Sequence, residues 1–244
     1  MKKNAIILTS GLSGSSVLTA LIARAGYWTG DKTYRKKQYE TFENQGLIDL
    51  NLKLFQEVDY KGEPQIEASR IAMQQIASIS DTIDCTIYRS FIERCTQNQP
   101  WVWKDPRLWL TIRFWKNLVD LGNCRFILLS RDLTQSWISS TLNRQIFTYR
   151  FCRSYENNIR QLTIDFLREN EFPYLHLTYE GLILHPGKAV DQLNLFLGTA
   201  LGVADLKSVY HKPLYKNPRN SWAKHLMAVL IYFKNYSSRL DIGG

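Results

Sequence analysis

The chain has 244 residues, 45% of them hydrophobic and 13% aromatic, and a formal net charge of +9. That length fits one domain over 1–244, with room for a helical elaboration, and the apolar content excludes a disordered chain. The positive balance suits an anionic partner. A small polyanionic cofactor explains it at least as economically as nucleic acid, for which no binding module is legible.

Lys2 and Lys3 precede an apolar run, Ala5–Leu8, in the manner of a secretory signal. The run is broken by TSGLSGSS and no small-residue cleavage site follows, so it reads instead as a first strand. Ser15–Ala25 comes next, with Val17, Leu18, Leu21 and Ile22 on one helical face. Between strand and helix lie Gly11, Leu12, Ser13, Gly14, Ser15 and Ser16. The glycines permit a tight turn, the helix start points free N–H groups at an anion, and Ser13, Ser15 and Ser16 add hydroxyls. Such a loop also caps helices without binding anything. No lysine follows the second glycine, so the nucleoside-triphosphatase pattern is not met, and Leu12 stands where a cation is expected.

Residues 30–98 form an insertion that reads mainly helical, most clearly in IEASRIAMQQIASI. It contains the basic stretch YRKKQYE, with Lys36 and Lys37, and FENQGLIDLN, with Glu43. A second strand, Trp101–Trp103, places Lys104 at its end before Pro106, ahead of a helix over Leu108–Val119. Lys104, Asp105 and Arg107 either neutralise an anion or pair among themselves. A third strand, Arg125–Leu129, leads to Arg131, with Asp132 as the cap of a helix over Leu133–Arg144. Ser139 lies about two helical turns beyond Arg131, and a guanidinium beside a hydroxyl suits a terminal phosphate. A fourth strand, Tyr174–Leu177, carries His176, read as a satisfied core histidine, and precedes a helix over Lys188–Leu197. Strands alternating with helices predict a parallel sheet covered on both faces, with its ligand crevice beyond the carboxyl ends of the strands.

The C-terminal stretch YHKPLYKNPRNSWAKH is basic and aromatic. It reads as a solvated face, and His211 within it is a remote candidate for a base. HLMAVLIYFKNY is helical and apolar, too short to span a bilayer, and expected to dock on the core or on a partner. Cys85, Cys95, Cys124 and Cys152 lack metal-ligand spacing and read as reduced core thiols of a cytoplasmic protein.

Four segments in order carry a resemblance. SGLSGSSVLTALIARAG, WVWKDPRLWLTIRFW, RFILLSRDLTQSWISSTLNR and LHLTYEGLILHP resemble the 5′-phosphosulfate loop, KDPR segment, 3′-phosphate segment and YEDL-type segment of PAPS-dependent sulfotransferases. The likeness is greatest to bacterial small-molecule and glycan-type members and runs from about Ala5 to Gly198. FENQGLIDLN is similar to an acidic helix that the family carries after its first βα unit. The resemblance implies a P-loop-like α/β three-layer sandwich with a helical insertion after that unit. It implies PAPS (3′-phosphoadenosine 5′-phosphosulfate) as cofactor, 3′-phosphoadenosine 5′-phosphate as product, and no metal. Residues Ser10–Ser16 would hold the 5′-phosphosulfate, and Arg131 and Ser139 the 3′-phosphate, with Arg144 in support. Lys216 and Arg219 would belong to a late loop closing over the cofactor. Members of the family usually carry lysine or arginine at the position of Leu12.

The chemistry then expected is in-line transfer of a sulfuryl group to a hydroxyl or amine of an unidentified small-molecule, glycan or carrier-bound acceptor. It needs a cation near the leaving phosphate and a base near the acceptor. Lys104 is the first choice for the cation, then Arg107, then Lys36 or Lys37. Glu43 is the first choice for the base, against a solvated glutamate on a helix surface. Two other classes stand beside this one: a P-loop kinase, and a sulfotransferase-like protein that binds nucleotide without turnover.

Overall fold

Every residue from Ala5 to Leu8 is fully buried, as a strand covered on both faces requires. The computed structural model describes residues 2–11, 13–36, 39–60, 70–142, 148–210 and 222–234, and from it the neighbours of that strand follow. The first half of the chain runs β1 (Asn4–Leu8), α1 (Ser15–Arg24), β2 (Thr33–Lys36), β3 (Tyr39–Asn44), α2 (Gln45–Glu57), α3 (Arg70–Ser78), α4 (Thr86–Gln97), β4 (Val102–Lys104) and α5 (Leu108–Trp115). The second half runs β5 (Cys124–Ser130), α6 (Leu133–Leu142), α7 (Tyr149–Glu169), β6 (Tyr174–Thr178), α8 (Tyr179–Leu184), α9 (Pro186–Leu197), α10 (Val203–Val209) and α11 (Trp222–Lys234).

Four strands form one parallel sheet in the order β4-β1-β5-β6. The two-residue period of a strand divides its side chains between two cores. Ile6, Leu8, Trp103, Phe126 and Leu128 pack with Trp109, Phe114 and Trp115 of α5 on one side. Ala5, Ile7, Val102, Ile127 and Leu129 pack on the other with Leu18, Leu21 and Ile22 of α1 and with Leu193 of α9. The protein is thus an α/β fold of three layers, with all four expected strands within a residue or two of their expected bounds.

The first core is strongly aromatic. The Trp101 and Trp103 rings stack at 4.4 Å between centroids, and Trp103 meets Trp115 edge-on at 5.1 Å. Such pairs add about 0.5–1.5 kcal/mol each beyond the area they bury. Cys85, Cys95, Cys124 and Cys152 are all free and buried, and burial pushes the thiols of Cys95, Cys124 and Cys152 up to about 12.

Two differences from expectation bear on the site. The insertion opens with an antiparallel hairpin, β2–β3, rather than a helix, so Glu43 belongs to a strand. The helix begins only after it, at Gln45, where the Asn44 side chain caps α2 by accepting from the N–H groups of Gly46 and Leu47. The strand alternates among polar residues, which a search for apolar periodicity does not register. The second difference is α7, a helix of 21 residues where none was expected. Its buried Cys152, Tyr155, Ile159, Thr163 and Phe166 do recur at helical spacing, and Thr148 caps its start through the Phe151 N–H.

Candidate functional site

The sheet register brings three strand ends to one edge. Ile7 lies opposite Lys104 and Leu8 opposite Leu128, so the chain leaves β1, β4 and β5 at one edge, where an open parallel sheet holds its ligand crevice. The loop after β1 turns through Gly11 (φ 89°) and Gly14 (φ 79°), a left-handed backbone that favours glycine. Space demands glycine at 14 as well, since a Cβ there would lie 2.1 Å from the Tyr179 ring. Gly14 is the N-cap of α1 and supplies no side-chain cap. An uncapped helix start of this kind is where backbone N–H groups are left to meet an anion, although the Val17 N–H is taken by the Gly14 carbonyl at 3.0 Å. The hydroxyls behave differently from expectation: Ser13 is buried and bonded to the Thr9 hydroxyl, so it locks the loop instead of facing a ligand. Ser15 is buried too, and Ser16 is half-buried. Leu12 lies outside the described residues.

Lys104 stands at the end of β4 on the side of Val102, away from Trp103. Its ammonium donates to the Glu43 carboxylate from the hairpin, and both groups are buried. The two residues expected to act as cation and base are thus in direct contact. Glu43 is aimed by an irregular hairpin: the register shifts between Tyr34 and Arg35, and Phe42 takes a left-handed φ of 57°. An aromatic residue there costs on the order of 1 kcal/mol or more, and irregularities of this kind re-aim side chains beside functional sites.

Arg107 is committed elsewhere. Its side chain donates to the fully buried Asp105 carboxylate at 3.0 and 3.2 Å, and its backbone N–H does so at 2.9 Å. Asn51 donates to the same carboxylate at 2.9 Å and accepts from the Trp115 indole at 2.9 Å. The KDPR turn is thereby bolted to the aromatic core, which leaves Arg107 a structural partner of Asp105. Pro106 touches the loop, 3.5 Å from where a Cβ on Gly11 would stand.

From the end of β5, Arg131 donates to the Ser139 hydroxyl at 3.0 Å, so the strand residue and the α6 residue meet as their spacing predicts. The guanidinium lies over the Tyr179 ring at 5.0 Å, and Nε is 4.0 Å from Glu180. Glu180 also accepts from the Asp132 N–H, while Asp132 caps α6 through the Gln135 N–H. The Tyr179–Glu180 pair thus holds the Arg131 turn in place and closes one wall of the loop. Burial, the dominant cause, raises the Tyr179 phenol above its ordinary range.

One group beside the loop was not anticipated from the sequence. Glu156 of α7 accepts from the Ser10 hydroxyl at 2.5 Å, and the neighbouring Tyr155 hydroxyl donates to the Ser10 carbonyl at 2.8 Å. Burial raises the Glu156 carboxyl, opposed by the Ser10 bond, by Arg160 and Arg131, and by Ser136. Its signal in the sequence is the amphipathic pattern of α7, which turns Tyr155 and Glu156 toward the crevice.

No family model and no curated protein matches this chain. The remaining candidates fall away from the crevice or outside the described residues. Lys36 is exposed opposite Tyr39 at the turn end of the hairpin, whereas Glu43 lies opposite Tyr34 at its base. His176 is not in the core: β6 is an edge strand, and the exposed imidazole shares a hydrogen bond with the Ser130 hydroxyl at 2.8 Å. Lys37, Arg144, His211, Lys216 and Arg219 lie outside the described residues. Among the described residues no cluster of three or more His, Cys, Asp or Glu is arranged to hold a metal ion. No helix among them is long and apolar enough to cross a membrane.

Proposed function

We propose that this protein is a PAPS-dependent sulfotransferase with a P-loop-like fold, acting in the cytoplasm on a hydroxyl or amine acceptor. The observation that carries this reading is the contact between Glu43 and Lys104, at the end of the strand beside the one from which the glycine loop leaves. A carboxylate for the acceptor's proton and a cation for the leaving phosphate then stand side by side.

The donor set fits the cofactor. The uncapped start of α1 with its two positive-φ glycines suits the 5′ end, and Arg131 with Ser139 suits a 3′-phosphate. Bound PAPS would supply an activated sulfuryl group for the acceptor, with 3′-phosphoadenosine 5′-phosphate as the leaving group. Lys104 offsets the charge released on the phosphate side, which is worth on the order of 10²–10³ in rate for one well-placed donor. Glu43, in contact with Lys104, takes the acceptor's proton. The KDPR network keeps Lys104 fixed while the acceptor's bond forms.

Calorimetry with 3′-phosphoadenosine 5′-phosphate in the absence of divalent metal tests the binding half. Binding there, with release of that product from PAPS over a panel of acceptors, supports the enzyme. Binding without turnover leaves a protein that kept the cradle and lost the reaction, in keeping with Leu12. Binding of ATP that needs Mg²⁺ overturns both in favour of a kinase.

A further inference from the structure

The last described helix, α11, has two apolar sides. One is covered: Ala228 is fully buried, the helix packs on α6, and His225 lies 5.6 Å from the Trp137 ring. The other faces solvent. Trp222, Leu226 and Leu230 recur every four residues along it with Met227 beside them, and each is between 49% and 70% exposed. A row of large apolar side chains along one helix face is a contact surface.

The charge of the flanking sequence selects the partner. Between Asp205 and Asp241 the sequence has no acidic residue and seven Lys or Arg, so this stretch carries most of the net charge of +9. A second copy would bring the same basic stretch against itself, and like charges across an interface oppose association. A nucleic acid offers phosphates but no apolar seat for Trp222, Leu226 and Leu230. A bilayer with anionic headgroups satisfies both features at once, the rings and aliphatic chains entering the interface and the Lys and Arg side chains meeting the headgroups.

We infer that α11 is an interfacial helix that seats this protein on anionic lipid surfaces, lying on the bilayer without crossing it. Since α11 packs on α6, which carries Ser139, the seated protein holds its crevice beside the headgroup layer. An acceptor displayed at a membrane surface suits that placement. The seating itself stands apart from the sulfotransferase reading.

The test is flotation of the full chain with vesicles of phosphatidylcholine alone or mixed with phosphatidylglycerol, at low and high salt. We expect binding to the anionic vesicles only, weakened by salt, with a blue shift in tryptophan emission that Trp222→Ala removes. The double variant Leu226→Glu/Leu230→Glu should abolish binding and leave the melting temperature unchanged. Lys224→Gln should lower partitioning about fivefold. If the double variant fails to fold, Trp222→Ala takes its place in the flotation assay. Failure to bind anionic vesicles overturns the inference, as does binding that survives loss of the apolar row. A dimer of the wild type that the same variants dissociate overturns it in favour of a second copy.

Discussion

Glu43 and Lys104 are 61 residues apart in the chain and meet as a buried ion pair between the hairpin and the central sheet. Breaking such a pair from one side strands a charge in a poorly solvated place, at about 3–5 kcal/mol. Glu43→Gln and Lys104→Met should each lower stability on that scale, whereas the double variant should recover most of the loss. Denaturant melts of the four proteins provide the coupling energy. Additive losses would show that the two groups do not depend on each other.

The same pair sets the activity prediction. Lys104→Met should reduce PAPS turnover by on the order of 10²–10³ with little change in product affinity. Leu12→Lys should raise turnover by supplying a cation from the loop. A Glu43→Gln variant with an unaltered pH–rate profile would remove Glu43 as the base.

Gly14→Ala places a methyl group 2.1 Å from the Tyr179 ring on a backbone with φ of 79°. Overpacking and left-handed strain together predict a loss of about 2–4 kcal/mol, read by thermal or denaturant unfolding. Shrinking the ring in Gly14→Ala/Tyr179→Leu should restore part of it. A stable single variant would contradict the packing described.

Ser139→Ala removes a hydroxyl from Arg131 and from any phosphate there. Affinity for 3′-phosphoadenosine 5′-phosphate should fall by about 3–10-fold, one ordinary hydrogen bond, with affinity for adenosine 5′-phosphosulfate unchanged. Equal losses for both ligands would place the 3′-phosphate elsewhere.

Glu156 makes the stability pH-dependent. Its folded carboxyl is raised above the ordinary 4.5 by burial, so relative to the unfolded chain the native state holds the proton more tightly. The stability this confers is complete below about pH 4.5 and is lost as pH rises through the raised value. Glu156→Gln should therefore raise the melting temperature at neutral pH and have less effect in acid. It should also tighten anion binding at high pH by removing a negative charge beside the loop. A melting difference that does not vary with pH would contradict this.

The four strands and their following helices were legible because each is a local signal, an apolar run or a helical face of a dozen residues at most. The Arg131–Ser139 contact was legible for the same reason, two helical turns within one βα unit. Local patterns carry no information on which distant segments touch. Lys104 and Glu43 were each singled out for their chemistry, and nothing in the order of residues says that they pair. The hairpin holding Glu43 escaped notice because its alternation is among polar residues and its register is broken at Tyr34–Arg35. Ser13 looked like a ligand donor because a hydroxyl on a loop gives no sign that Thr9 will occupy it.

Tyr179 touches the space above Gly14 and lies under the guanidinium of Arg131. One ring is thus the spacer between the glycine loop and Arg131. On the proposed function the ring would work as a ruler: a ligand would be sorted by the separation of its charged ends as much as by their number, and a change in ring size at 179 would reset the gauge.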